Sequence, residues 1–218
     1  MAKLGPRRLV EPALGPAELP PLDLVLLSHA HMDHTDLGTL RRLPANTPVV
    51  VQAGNGDLVR RFRRVTELAW GQETEIHGLR IESTESRHWG ARMITDTQRG
   101  YGGYLLQKAG RTVLFAGDTA YTDALTPLGR RAHIDLAILP IGAYDPWIAN
   151  HASPEQAWAM FKALGAAYVL PVHHSTFRLS REPVDEPIRR FLAAAGSERW
   201  RVMASEIGAT ATIPSPTR

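Results

Sequence analysis

The run His29-Ala30-His31-Met32-Asp33-His34 constrains this chain more than any other feature, because it leaves directly from the apolar stretch 22–27. Residues two apart on an extended strand share a face. His29 and His31 can therefore address one ion, while Asp33 and His34, reached as the strand gives way to a turn, can serve a second beside it. Imidazole nitrogen and carboxylate oxygen are what a divalent cation such as zinc takes where thiolate is lacking, and the chain has no cysteine. The fold must bring this strand end to an open edge where other ligands can meet it.

Composition sets the frame for that edge. A length of 218 residues, 44% hydrophobic and 22% charged, suits one soluble domain with a sizeable core. The expectation is a single domain over 1–218 with a frayed tail at 212–218. No apolar stretch approaches the ~20 residues that span a bilayer. The first 21 residues lack the continuous apolar core and cleavage site of a secretory signal, so cytoplasm is the expected compartment. The net charge of +3 is partly concentrated in Arg60-Arg61-Phe62-Arg63-Arg64. Such a run can attract the phosphates of RNA or anionic lipid, but its commoner use is the solvated face of a helix.

Apolar runs and breakers alternate along the rest. Strands are expected at 22–27 and 48–52, and helices at 35–43 and 57–64. Two hairpins follow, 73–77 with 79–85 turned at Gly78, and 101–108 with 111–116 turned at Ala109-Gly110. A helix at 120–131 and a strand at 134–140 lead to Ser153-Pro154-Glu155-Gln156. That tetrapeptide carries a Ser N-cap, Pro at the first helical position and Gln where a capping box needs it. The helix it opens should end at Gly165. A strand at 168–172, a helix at 184–195 and a last strand at 200–204 complete an α/β layered chain.

Three more candidate ligands stand where strands should end: His88, Asp118 and His173, the last beside His174. Singly each is weak, since a lone histidine after a strand is usually a satisfied surface or core residue, and Asp118 could equally cap a turn. Together with the first run they supply five histidines and two aspartates. That is enough for two sites of three or four ligands sharing one carboxylate, which is the stoichiometry of a two-metal hydrolase.

In this order the motifs resemble the metallo-β-lactamase-fold hydrolase superfamily. Within it the chain is similar to the branch of N-acyl-phosphatidylethanolamine-hydrolysing phospholipase D and the sugar-phosphate lactonases. The likeness runs from about Pro6 to Phe177 and rests on Leu19-Pro20-Pro21-Leu22-Asp23, Ser86-Arg87-His88-Trp89, Phe115-Ala116-Gly117-Asp118-Thr119, Pro140-Ile141-Gly142-Ala143-Tyr144, His151-Ala152-Ser153-Pro154-Glu155-Gln156-Ala157 and Val172-His173-His174-Ser175-Thr176-Phe177. The resemblance implies a four-layer αββα sandwich. It assigns His29, His31 and His88 to one metal, Asp33, His34 and His173 to the other, and Asp118 as the bridge. Two departures stand out. His174 occupies the place of the family's usual tryptophan, and only some 20 residues precede the first motif where about two hairpins of strand are ordinary. The sandwich is thus expected to lack its N-terminal strands, and pairing between copies would cover the exposed sheet edge.

The resemblance also implies a mechanism. Two divalent cations, zinc or alternatively manganese, would hold a hydroxide that attacks phosphorus or an acyl carbon. Histidine at position 31, where diiron relatives carry glutamate, points to hydrolysis rather than redox chemistry. His151 offers either a hydrogen bond to an oxyanion or a proton to the leaving group, unless it merely precedes a helix N-terminus. Tyr144, Trp147 and His174 are candidate substrate contacts. The expected substrate is a phosphodiester, small or lipid, ahead of a lactone or small-metabolite ester. A nucleic acid is disfavoured for want of a gripping insertion. A non-catalytic metal-binding chain is the reading from a different class.

Overall fold

The computed structural model describes residues 6–93 and 95–214. Two sheets are built in chain order. A small parallel sheet joins β1 (Val25–Leu27), β2 (Val49–Gln52) and β3 (Val65–Leu68). A larger mixed sheet has the order β4 (Glu73–Ile76), β5 (Leu79–Thr84), β6 (Gly103–Lys108), β7 (Arg111–Phe115), β8 (Leu136–Pro140) and β9 (Tyr168–Val172). The two expected hairpins are β4–β5 and β6–β7. Ala109 and Gly110 both take left-handed φ, at 50° and 74°, the twist that a two-residue hairpin turn demands.

Side-chain alternation sorts the strands into four layers. From β2, Val50 points inward and packs with Leu68, Ile81 and Tyr104 between the sheets. Its neighbours Val49 and Val51 point outward. They pack with Leu40 of α1 (Leu37–Leu40), with Leu43, and with Val59 and Phe62. On the far face of the large sheet, Leu114, Ala137, Leu139 and Val169 meet α2 (Thr126–Arg131), α3 (Pro154–Leu164) and α4 (Glu186–Ala195). Helix α3 shows why this layer holds. Ala157, Met160, Phe161 and Leu164 recur at helical spacing and are all buried, and a residue such as Phe161 contributes roughly 1.5–3 kcal/mol by leaving water. Polar ties fix the two sheets relative to each other. Tyr104 donates its hydroxyl to Leu27 O at 2.8 Å, and the buried Gln52 amide bridges Gly103 O and Ser83 Oγ.

Several expected elements differ. Residues 57–64 do not form a helix. A 3₁₀ turn at Gly56–Val59 is followed by irregular chain, and β3 begins at Val65. The basic run braces backbone there: Arg61 donates to Leu40 O and Leu43 O, at 2.7 and 2.6 Å, where α1 ends. Of 120–131 only Thr126–Arg131 is helical. The Ala120 N–H is committed to Arg87 O, and Pro127, lacking an N–H, opens the helix. The last expected strand is instead a 3₁₀ turn at Gly196–Arg201, touching β9 through one bridge from Val202. Trp200 is 68% exposed, and within the segment Val202 packs on the core. The tail expected at 212–218 lies outside the described residues from 215 onward, and Pro214 O accepts from Arg111. No helix among the described residues is long and apolar enough to cross a membrane.

Candidate metal centre

Strand direction explains where the chemistry gathers. Strands β5 and β7 are each antiparallel to β6, and β7, β8 and β9 run parallel. The carboxyl ends of β5, β7, β8 and β9 therefore share one edge, and each feeds a candidate residue: His88, Asp118, His151 and His173. The small sheet adds the end of β1, which feeds the histidine-rich run. Open α/β sheets place their chemistry at such an edge because loops there are free to vary while strands hold their roots.

The seven expected ligands gather in one cluster, four of the histidines around a single atom, Asp118 Oδ2. His34 Nε2 and His173 Nε2 lie 3.1 Å from it, and His29 Nε2 and His88 Nε2 lie 3.9 Å away. His31 Nδ1 approaches His29 Nε2 at 2.9 Å and His88 Nε2 at 3.3 Å. Asp33 Oδ2 lies 3.3 Å from His34 Nε2 and 3.4 Å from His173 Nε2. One triad of donors is thus His29, His31 and His88. The other is Asp33, His34 and His173, with Asp118 between them. Asp118 itself is aimed by Gly117, whose φ of 63° and close approach to Gly102 O, 2.6 Å from where a Cβ would sit, leave room for no side chain.

The donor set fits divalent cations. His29 Nδ1 meets Ser28 Oγ at 3.0 Å, and His88 Nδ1 donates to Asn150 O at 3.0 Å. Each bond turns the opposite Nε2 lone pair toward the cluster, as histidine ligands require. The turn that carries the first run is closed at both ends. Thr35 Oγ1 donates to His29 O at 2.7 Å, and Arg92 Nη1 reaches both Ala30 O and Thr35 O, at 2.9 and 2.8 Å.

Electrostatics divide the imidazoles into two groups. Burial opposes charge on all of them. At His34 it is outweighed by Asp118 and Asp33, which hold the ring up at about 10, and the same two carboxylates raise His173. Elsewhere burial wins. It pulls His29 well down, with repulsion from His34 adding to it, and it lowers His88. His31 falls to about 4 and His151 to about 3. Asp33 and Asp118 are held below the usual carboxylate range despite their burial, by His34 and His173. The two carboxylates thus favour the charged form of His34 and His173, while burial favours the neutral form of the other four imidazoles.

A cavity of about 420 Å³ opens over the cluster, lined by His31, Asp33, Asp118, His151 and His173 on the polar side. Met32, Trp89, Trp147 and Leu179 supply apolar wall, and Arg92 supplies a cation. His151 stacks on His173 at 5.3 Å, and its buried Nδ1 stands 3.9 Å from Asp118 Oδ2 without a hydrogen-bond partner. Trp147 thus reaches the cavity as expected of a substrate contact. Two other candidates do not. Tyr144 is buried, donates to Glu186 Oε1 at 2.7 Å and lies under the Arg190 guanidinium, so it fastens α4. His174 turns away to Ser175 Oγ at 2.9 Å. Sequence reasoning missed Ser28, Arg92 and Asn150 as supports. Only Ser28, adjacent to His29, carried a usable signal; the other two act through irregular loops.

Comparison with known proteins agrees with this architecture. The sequence model of the beta-lactamase superfamily domain matches residues 2–174. An uncharacterised protein of Mycobacterium tuberculosis is 34% identical over 91% of this chain and 56% of its own length. The mitochondrial N-acyl-phosphatidylethanolamine-hydrolysing phospholipase D of Saccharomyces cerevisiae is 32% identical over 95% of this chain and 48% of its own. The chain spans about half the length of these curated relatives. Among solved structures, a metallo hydrolase from Ignicoccus hospitalis superposes with a TM-score of 0.63 at 26% identity, covering 80% of this chain and 73% of that one. With the four layers, the ligand-bearing sheet edge and the family match in agreement, this chain belongs to the beta-lactamase superfamily and has its metallo-β-lactamase fold.

Proposed function

We propose that this chain hydrolyses a phosphodiester with the help of two divalent cations, zinc by preference. The observation that carries the reading is the pair of donor triads, His29, His31, His88 and Asp33, His34, His173, flanking Asp118 beneath a 420 Å³ cavity. His29, His31 and His88 would hold one cation, Asp33, His34 and His173 the other, and Asp118 would contact both. Bound there, the pair supplies Lewis acidity that lowers the pKa of water and polarises the scissile group.

The chain's own residues supply the rest. Neutral at working pH, His151 is a hydrogen-bond donor to the negative oxygen that develops as the phosphorus–oxygen bond breaks, rather than a source of a full proton. Arg92 adds positive charge to the cavity wall, which favours an anionic diester. Met32, Trp89, Trp147 and Leu179 suit an apolar arm, and the named activity of the yeast relative supports a diester of lipid type. Metal analysis of the purified chain should return close to two ions. Turnover of bis(p-nitrophenyl) phosphate should exceed that of p-nitrophenyl phosphate and of a simple lactone, and should fall on His151→Ala. Preference for the lactone would replace the diester reading with a carboxylic ester hydrolase, and a metal content near zero would remove the two-cation reading.

A further inference from the structure

The loop that follows β8 carries Trp147, Asn150 and His151 to the site, and its path is unfavourable. Ala143 takes a φ of 64°, a left-handed conformation that costs any residue bearing a Cβ. Something must hold it there. The carboxylate of Glu182, buried at 8% exposure, accepts from Ala143 N through Oε1 at 2.7 Å and from Asp145 N through Oε2 at 3.1 Å. Both of its oxygens are thereby spent on backbone. Two further bonds join the same pair of segments: Arg181 N to Asp145 O at 2.8 Å and Trp147 Nε1 to Leu179 O at 3.3 Å.

The far end of the loop reaches the chemistry. Trp147 O accepts from both Asn150 N and His151 N, at 2.8 and 3.0 Å. Asn150 O in turn takes the Nδ1 proton of His88. A continuous chain of contacts therefore runs from Glu182 through Trp147 to the one histidine that lines the cavity outside the two donor triads, and to the carbonyl that orients a histidine inside one. We propose that Glu182 is a positioning residue: by clamping the turn at Ala143 and Asp145 it sets His151 against the substrate oxygen and holds Asn150 O on His88. Charge matters to this role, since a carboxylate offers two acceptors where an amide offers one acceptor and one clashing donor.

The inference rests on the role given to His151 above, and the test keeps the two separable. Glu182→Gln should speed hydrogen exchange at the amides of Ala143, Asp145 and His151 in the intact protein, without a like change in α3. With zinc loaded, it should lower kcat on bis(p-nitrophenyl) phosphate by about tenfold with little change in KM. In a His151→Ala background the same substitution should lower kcat by clearly less than about tenfold, because only its hold on Asn150 O and His88 remains. An equal loss in both backgrounds, with exchange at the three amides unaltered, overturns the proposal. If His151→Ala leaves turnover untouched, the reading of His151 fails while the exchange data still judge the clamp. Should Glu182→Gln melt below the assay temperature, Glu182→Asp, which keeps the charge and both oxygens but shortens their reach by one methylene, takes its place under the same criteria.

Discussion

Stripped of metal, this protein should be most stable near pH 6.5 and lose stability steeply on both sides. The cause is the division among six buried imidazoles. His34 and His173 are raised by Asp118 and Asp33, while His29, His31, His88 and His151 are lowered by burial. At pH 5 the unfolded chain carries a proton on nearly all six rings, whereas in the folded chain His29, His31 and His151 have lost theirs, a difference of about three to which the lowered His88 adds. The unfolded state then binds more protons, so stability rises with pH at about 4 kcal/mol per pH unit or more, taking about 1.36 kcal/mol for each proton. Above 6.5 the unfolded rings become neutral, while the folded state keeps the His34 proton and favours one on His173. Stability there falls with rising pH by about 1.4 kcal/mol per unit from His34, with His173 adding to the fall over its own raised range, and the contribution of His34 is gone once pH passes its folded value of about 10. Set against a total of about 5–15 kcal/mol for an ordinary domain, either flank is large.

Urea denaturation of the chelator-treated protein at pH 5.5, 6.5, 7.5 and 8.5 reads this directly. The midpoint should peak at 6.5. Zinc loading should remove the alkaline flank, because metal takes the lone pairs that otherwise hold the two protons, leaving folded and unfolded rings alike above pH 7. A stripped protein whose midpoint climbs steadily from pH 5.5 to 8.5, or an alkaline decline identical with and without zinc, would refute the division of charge argued here.

Three further substitutions probe other parts of the structure. Asp118→Asn keeps the shape but removes the charge that lies within 3.1–3.9 Å of five imidazoles; zinc uptake by calorimetry should drop below two ions per chain, and turnover by about a hundredfold or more. Arg92→Met unties Ala30 O and Thr35 O at the ends of the ligand turn, so zinc affinity should fall roughly 10–100-fold in a chelator competition, with the midpoint of the zinc-free protein much less affected. Ser153→Ala breaks the capping box of α3 and should cost about 1 kcal/mol in urea denaturation while leaving two ions bound.

What could be read from sequence alone follows the specificity of the chemistry required. A metal ligand must be one of very few residue types, so the candidate donors His29, His31, Asp33, His34, His88, Asp118 and His173 declare themselves by type and by their places after strands. Helix α3 is legible for a similar reason, since Ser153, Pro154, Gln156 and Gly165 each serve a position few residues can fill. Strand β3 is not, because Val65-Thr66-Glu67-Leu68 is short and its neighbouring arginines imitate a helix face. The failed helix at 57–64 is the same error seen from the other side: Arg61 is bonded to carbonyls 18 and 21 residues away, a destination that periodicity cannot encode.

The supports of the site are hidden for a deeper reason. Arg92, Asn150 and Glu182 act on backbone carbonyls and amides, and every residue in the chain carries those groups apart from proline's missing N–H. A ligand is recognised by what it is, whereas a support is recognised only by where its partner has been folded to. Asn150 contributes nothing but its carbonyl to His88, so even its side-chain identity is silent on the role. Tyr144 and His174 show the converse. Both have the chemistry of a substrate contact and both were expected in the cavity, yet the left-handed turns at Ala143, His173 and Ser175 send Tyr144 to Glu186 and His174 to Ser175 instead. Residue type thus marks the candidate donors, while the backbone conformation of two loops decides which side chains reach the cavity.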